Sequence, residues 1–178
     1  MTDRATIQRV LAGDTEAFGI LVDRHYDRCA RIAYRILGNR EDAEEAVQDA
    51  FLRAYRALAS YEDRERFVAW LTRILVNQCR TLRAKTERRE AVFTDDVDPE
   101  YARHQDLVAA PTDTWPGLDR ALALLPAEQR EAVVLRYGDD LTFEEMARIT
   151  GAGESALKMR VQRAFVRLRA ILQEVSHV

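Results

Sequence analysis

The chain has 178 residues, 47% hydrophobic and 32% charged, the balance of a soluble globular protein and not of a disordered one. No apolar run nears the roughly 20 residues of a membrane span, and the start, MTDRATIQRVLAGDTEAF, lacks the basic-then-apolar order of a secretory signal. Membrane insertion and export are therefore not expected, and the cytoplasm is the expected compartment. The formal charge of −3 argues against a nucleic-acid partner until its distribution is read. Residues 64–90 carry net +5 and residues 142–178 net +2, whereas residues 91–119 carry net −6. Two basic islands with an acidic bridge between them suit two nucleic-acid contacts and a connector. The basic excess is small, so a partner is expected to supply further affinity.

In chain order, Ala5–Leu11 reads as a short helix ended by Gly13 and followed by Asp14 or Thr15 as a new cap. Phe18, Leu21, Val22, Tyr26, Cys29, Ala30, Ala33, Ile36 and Leu37 then keep helical spacing up to Gly38-Asn39. Glu41–Ala59 repeats the pattern, and residues 60–63 form a loop. Arg64–Glu90 is a long helix. On its wheel Arg73, Asn77 and Arg80 lie within roughly 40° of Arg66, opposite Phe67, Leu71, Ile74, Leu75, Cys79 and Leu82. Trp70 sits at the border. A stacked or flipped base with its phosphates would need such a stripe; from composition alone, a solvated basic face with Trp70 in the core is the simpler description. Residues 91–116 mix acids and prolines and read as a flexible linker. Helices resume at Leu118–Leu125 and Pro126–Tyr137. No strand pattern of useful length occurs anywhere, so the expected fold is all-α, two small helical domains joined by an acidic linker.

The last third, Leu141 to Leu172, reads as a helix-turn-helix. Thr142 can cap a helix with an acidic first turn, and Phe143, Met146, Ala147, Ile149 and Thr150 form its inner side. Gly151-Ala152-Gly153 breaks it, Gly151 as a left-handed end and Gly153 as the next N-cap. In the second helix Leu157, Val161, Ala164, Phe165, Leu168, Ile171 and Leu172 share one side. Ser155, Met159, Gln162 and Arg163 share the other, flanked by Lys158 and Arg160. A short polar face flanked by cations suits a major groove lined with phosphates.

Three segments together resemble the sigma factors of bacterial RNA polymerase, of the small extracytoplasmic-function (ECF) type. Residues 42–55, DAEEAVQDAFLRAY, are similar to the family's DAEDLVQETFLRAY, and residues 67–77, FVAWLTRILVN, to its FxAWLxRIxxN. Residues 125–147 resemble its LPxxxREVxxLRY and LSYEEIA, and Lys158–Ala164 its KSRLHRA. The chain departs from the pattern at Ala46, Asp49, Gly153, Glu154, Ala156 and Met159.

The resemblance implies a function and assigns roles. Residues 1–90 would be sigma region 2, residues 91–116 the linker, and residues 117–178 sigma region 4. Glu45, Gln48 and Asp49 would dock on the polymerase clamp. The loop at 60–65 and the stripe Arg66, Trp70, Arg73, Asn77 and Arg80 would meet the −10 element and capture a flipped base as the duplex melts. Ser155, Lys158, Met159, Arg160, Gln162 and Arg163 would read the −35 element, while Leu125–Tyr137 would help hold the polymerase flap tip. The implied partners are core RNA polymerase, promoter DNA and an anti-sigma factor.

The alternative is an autonomous helix-turn-helix regulator. It would normally dimerise, and it leaves residues 1–90 without a role. An enzyme is not expected: His25, His104 and His177 are scattered, and there is no HExxH, Gly-rich phosphate loop or nucleophile elbow. No metal, cofactor or small-molecule substrate is implied. Cys29 and Cys79 lack a CxxC partner and read as small buried residues.

Overall fold

The computed structural model describes residues 2–62, 66–93 and 116–175; the expected linker between positions 94 and 115 and residues 63–65 of the expected loop lie outside these. Among the described residues there are eight α-helices and no strand. Four form an N-terminal bundle: α1 (Asp3–Leu11), α2 (Ala17–Leu37), α3 (Arg40–Ala57) and α4 (Phe67–Phe93), with a 3-10 turn at Leu58–Ser60. Four form a C-terminal bundle: α5 (Pro116–Ala123), α6 (Ala127–Val133), α7 (Phe143–Thr150) and α8 (Glu154–Val175).

Local chemistry sets the ends. The Thr2 hydroxyl accepts from the Ala5 amide at 3.4 Å and starts α1. The Asp14 carboxylate accepts from the Ala17 amide at 3.2 Å at the start of α2, and Arg9 grips the same carboxylate at 2.6 Å. Gly38 ends α2 in the left-handed conformation, φ 84°, where a side chain would be strained. Asn39 then caps α3, its carbonyl oxygen accepting from the Asp42 amide at 2.7 Å. The long expected helix over Pro126–Tyr137 divides. Pro126 stands before α6, and residues 134–138 widen into a π-turn before Leu141.

The N-terminal core is built on small residues of α3. Ala43, Ala46, Ala50 and Ala54 are all buried and line the side that meets α2 and α4. Side chains this small let neighbouring helices approach closely. Ala46, a departure from the family's usual leucine, belongs to this column and is fully buried. Cys29 and Cys79 are both buried and unbridged, and burial pushes each thiol up to about 12.

The two bundles are not separate bodies. Ala132, Val134, Leu135, Leu141, Met146, Ile149, Leu157 and Val161 join the N-terminal residues in one continuous core. A smaller second cluster, Ala121, Leu122, Leu125, Val133, Ala164 and Leu168, closes α5 and α6 on α8. Arg130 links both levels. Its guanidinium donates to the Ala123 carbonyl at 3.1 Å and to the Ile36 carbonyl at 3.3 Å, near the ends of α5 and α2.

Candidate nucleic-acid and polymerase interfaces

The helix-turn-helix has the expected construction. The Thr142 hydroxyl accepts from the Glu145 amide at 3.2 Å, while the Glu145 carboxylate accepts from the Thr142 amide at 2.8 Å, a complete capping box. These bonds hold the Glu145 carboxyl below the usual range, with Arg66 and Arg148 adding a weaker pull. Gly151 ends α7 at φ 73°, and the Gly153 carbonyl accepts from the Leu157 amide at 3.0 Å, starting α8. Met146 and Ile149 bury the inner side of α7.

On α8 the outer face carries Ser155, Lys158, Met159, Gln162 and Arg163, all exposed. Lys158 lies over the Phe143 ring at 5.6 Å and 3.8 Å from the Glu154 carboxylate. Arg160 differs: it is only half-exposed and reaches Glu128 at 2.9 Å. The inner face is narrower than the wheel suggests. Leu157, Val161, Ala164 and Leu168 are buried, and Ile171 packs partly against them. Phe165 and Leu172, expected inside, are 46% and 39% exposed. Leu157, Val161, Ala164 and Leu168 already fill the seam, so the Phe165 ring turns out and packs edge-on against Tyr137 at 5.2 Å. Within Leu125–Tyr137, Leu125 is core, whereas Leu124 and Tyr137 are exposed. The exposed aromatic pair Tyr137–Phe165, with Val166 beside it, is an apolar surface that the periodicity of α8 hid.

The α4 stripe is only partly displayed. Arg66 and Asn77 are exposed and Arg73 is half-exposed. Trp70 is 7% exposed and packs on Tyr61 and Phe67, with ring centroids 5.1 and 5.8 Å away. Tyr61 was not singled out from the sequence; an aromatic inside an otherwise polar loop was the available signal. Arg80 is held by the C-terminal bundle, with its side chain still 32% exposed. Its Nε and Nη2 meet the Glu131 carboxylate at 3.0 and 2.6 Å, and its Nη1 donates to the Thr150 carbonyl at 3.1 Å. Glu131 was likewise unmarked in the sequence, because nothing local says which arginine a buried glutamate will meet. The structure thus leaves Arg66, Arg73 and Asn77 accessible, keeps Arg80 part-exposed but engaged by Glu131, and buries Trp70.

Of the expected clamp-facing residues, Glu45 and Gln48 are exposed on α3 and Asp49 is half-buried. Lys85 of α4 approaches Glu45 at 3.7 Å. Leu52 and Tyr55, one and two turns further along the helix, are exposed apolar residues.

Known proteins match this arrangement. Residues 21–89 match the Sigma-70 region 2 family and residues 117–168 the Sigma-70 region 4 family. The ECF RNA polymerase sigma factor SigM of Mycobacterium tuberculosis is 33% identical over 171 residues, covering 96% of this chain and 85% of the relative. The ECF sigma factor SigW of Bacillus subtilis is 28% identical over 190 residues, covering 98% and 99%. Among solved structures, the sigma factor RpoE in complex with the anti-sigma factor NepR from Bartonella quintana is similar, with TM-score 0.74 and 26% identity over 88% of this chain and 96% of that one. CnrH in complex with the cytosolic domain of CnrY is similar at TM-score 0.69, 30% identity and 97% coverage of each chain. With both sigma regions in order and a relative aligned along nearly its whole length, this chain belongs to the ECF RNA polymerase sigma factors of the sigma-70 family.

Proposed function

We propose that this sigma factor divides promoter recognition between its two bundles and does so by binding energy alone, without chemistry of its own. It is an initiation factor that binds core RNA polymerase and directs it to particular promoters. Residues 1–90 act as the region 2 unit and residues 117–178 as the region 4 unit, with residues 91–116 connecting them. The outer face of α8, with Ser155, Lys158, Met159, Gln162 and Arg163, enters the major groove at the −35 element, and Arg160 joins it on release from Glu128. Arg66, Arg73 and Asn77 hold the −10 strand, and Arg80 extends that surface once Glu131 leaves it. Trp70 serves from beneath, as a buried aromatic support, unless opening exposes its ring for stacking.

Glu45, Gln48 and Asp49 meet the polymerase clamp, and the Tyr137–Phe165 pair offers an apolar seat for the flap tip. An anti-sigma factor covers these same faces, as relatives solved with such partners suggest. The work takes place in the cytoplasm, where polymerase and DNA are; no described helix is long and apolar enough to cross a membrane.

The observation that carries this reading is a capped helix-turn-helix with an exposed polar-cationic face, in a chain aligned along 96% of its length with an ECF sigma factor. The test is transcription in vitro with sigma-free bacterial core polymerase on genomic fragments, with start sites sequenced. Discrete starts sharing two spaced upstream elements are expected. No starts, with the chain alone still shifting DNA, would favour an autonomous regulator.

A further inference from the structure

Two clefts open where α4, α6 and the helix-turn-helix come together. The first, of about 380 Å³, is polar: Arg80 and Arg83 of α4, Glu128 and Glu131 of α6 and Arg160 of α8 line it. The second, of about 580 Å³, is lined by Pro126, Ala127, Ala156 and Met159, with Gln129 and Arg163 as further polar groups. Glu128 and Arg160 line both, so the two form one groove with a cationic end and a more apolar end. Volumes of this order belong to small-molecule sites, roughly 300–1,000 Å³.

The charges in the first cleft are unequally matched. Arg80 is held firmly, since its Nε and Nη2 meet the buried Glu131 carboxylate. Arg160 is held loosely: the Glu128 carboxylate 2.9 Å away is 67% exposed, and such surface pairs contribute little. Arg83 is the least well matched. Its ion-pair partner is Glu87, one turn on along α4, 3.6 Å away and 65% exposed. Among the described residues, its buried Nη1 has no hydrogen-bond acceptor. Arg130 adds a second cation nearby. Its guanidinium donates to the backbone carbonyls of Ile36, Ala123 and Leu125, and burial lowers its pKa, with the charge of Arg83 adding to the effect. A buried cationic N–H without an acceptor is costly, and an anion supplies one. In the second cleft the buried Gln129 Oε1 likewise has no donor among the described residues.

We propose that this groove binds a nucleoside polyphosphate, its phosphates taken by Arg83 and Arg160 in the polar cleft and its nucleoside lying along Pro126 and Met159 in the other. A guanidinium fork matches phosphate oxygens two at a time. Glu131 stays with Arg80, because parting a buried ion pair is costly. Glu128, being exposed, turns into solvent and yields Arg160 to the phosphate. Gln129 Oε1 accepts from a ribose hydroxyl or a base amine. Where the promoter reading holds, an occupied groove withholds Arg160 from the −35 element; the site itself does not depend on that reading.

The test is titration calorimetry of the full-length chain, without polymerase or promoter, against ATP, GTP, inorganic pyrophosphate and adenosine. At least one triphosphate should bind, pyrophosphate should bind more weakly, and adenosine should give no heat. Arg83→Gln should weaken triphosphate binding about tenfold, the loss of a charged hydrogen bond. Glu128→Gln should bind about threefold tighter, since it removes the carboxylate that competes for Arg160; a gain of this kind does not come from a misfolded chain. Arg56→Gln, at an exposed cation of α3 outside the groove, should bind like the parent. No heat from either triphosphate, pyrophosphate as tight as the triphosphates, equal losses in Arg83→Gln and Arg56→Gln, or Glu128→Gln no tighter than the parent would each overturn the proposal. A random-sequence duplex that binds and is weakened by Arg83→Gln, while the triphosphates give no heat, would assign the groove to the DNA backbone instead.

Discussion

The two surfaces proposed to face DNA, on α8 and on α4, differ in how much of each is available. On α8 the polar face is displayed almost whole, with Arg160 drawn aside by Glu128 and Lys158 near Glu154 and the Phe143 ring. On α4 the stripe is divided: Arg66 and Asn77 lie in solvent, Trp70 lies in an aromatic cluster, and Arg80 is part-exposed but engaged by Glu131. The difference follows from the helices' surroundings. α8 packs along one narrow seam, so what is polar on it stays outside. α4 packs against α2 and α3 on one side and α7 on another, so part of its polar face is consumed as well. The cationic face of this central helix is therefore shared between solvent and an acidic neighbour, Glu131.

Predictions follow that break or sharpen this contrast, beginning with the largest effect. Replacing Arg73 and Asn77 by Ala should nearly abolish promoter opening while leaving polymerase binding intact, because neither residue is buried in the core. Permanganate reactivity of the −10 thymines reads this, and unchanged reactivity would remove the stripe from strand capture. Trp70→Ala should act on stability first, costing about 3–5 kcal/mol in urea unfolding, as expected for a buried aromatic. A loss of opening without a loss of stability would instead give Trp70 a direct place against a base.

Arg163→Ala, on the exposed α8 face, should leave unfolding unchanged. It should cost about 1–3 kcal/mol at a single −35 position if the arginine reads a base. A uniform loss across promoter sequences would make it a phosphate contact. The smallest effect concerns pH. Burial lowers the pKa of His25, with the Asp3 carboxylate, 3.0 Å away, opposing it in part. The folded state thus favours the neutral ring, and the unfolded chain binds the proton more readily. This contribution is fully present above the ordinary imidazole value of about 6.5 and is lost as pH falls through that value toward the lowered one. The urea midpoint of the parent should fall more between pH 7.5 and 5.5 than that of His25→Gln. Parallel profiles would contradict this.

Much of the fold was legible because its signals are local. The Thr142–Glu145 capping box, the left-handed turns at Gly38 and Gly151, and the Asn39 cap need only a few neighbouring residues to be read. The outer, polar face of α8 was legible for the same reason: its residues recur at helical spacing and stay exposed. What was not legible depended on distant partners. Nothing near Arg80 announces Glu131, fifty-one positions away. Phe165 faces solvent although its spacing is apolar, because Leu157, Val161, Ala164 and Leu168 already fill the seam and Tyr137 offers another contact. Nor could composition show that the two bundles share a core, since each has enough apolar residues to suggest one of its own.

The most direct test of the account is where the two surfaces touch DNA in one complex. A photo-crosslinking amino acid would replace Ala156 on α8 or Thr81 on α4, both exposed beside the expected contacts. Each variant would be bound with core polymerase to a promoter found by start-site sequencing. The account predicts crosslinks near −35 from position 156 and near −10 from position 81, both dependent on polymerase. Crosslinks from both positions at one site, or crosslinks that need no polymerase, would contradict it.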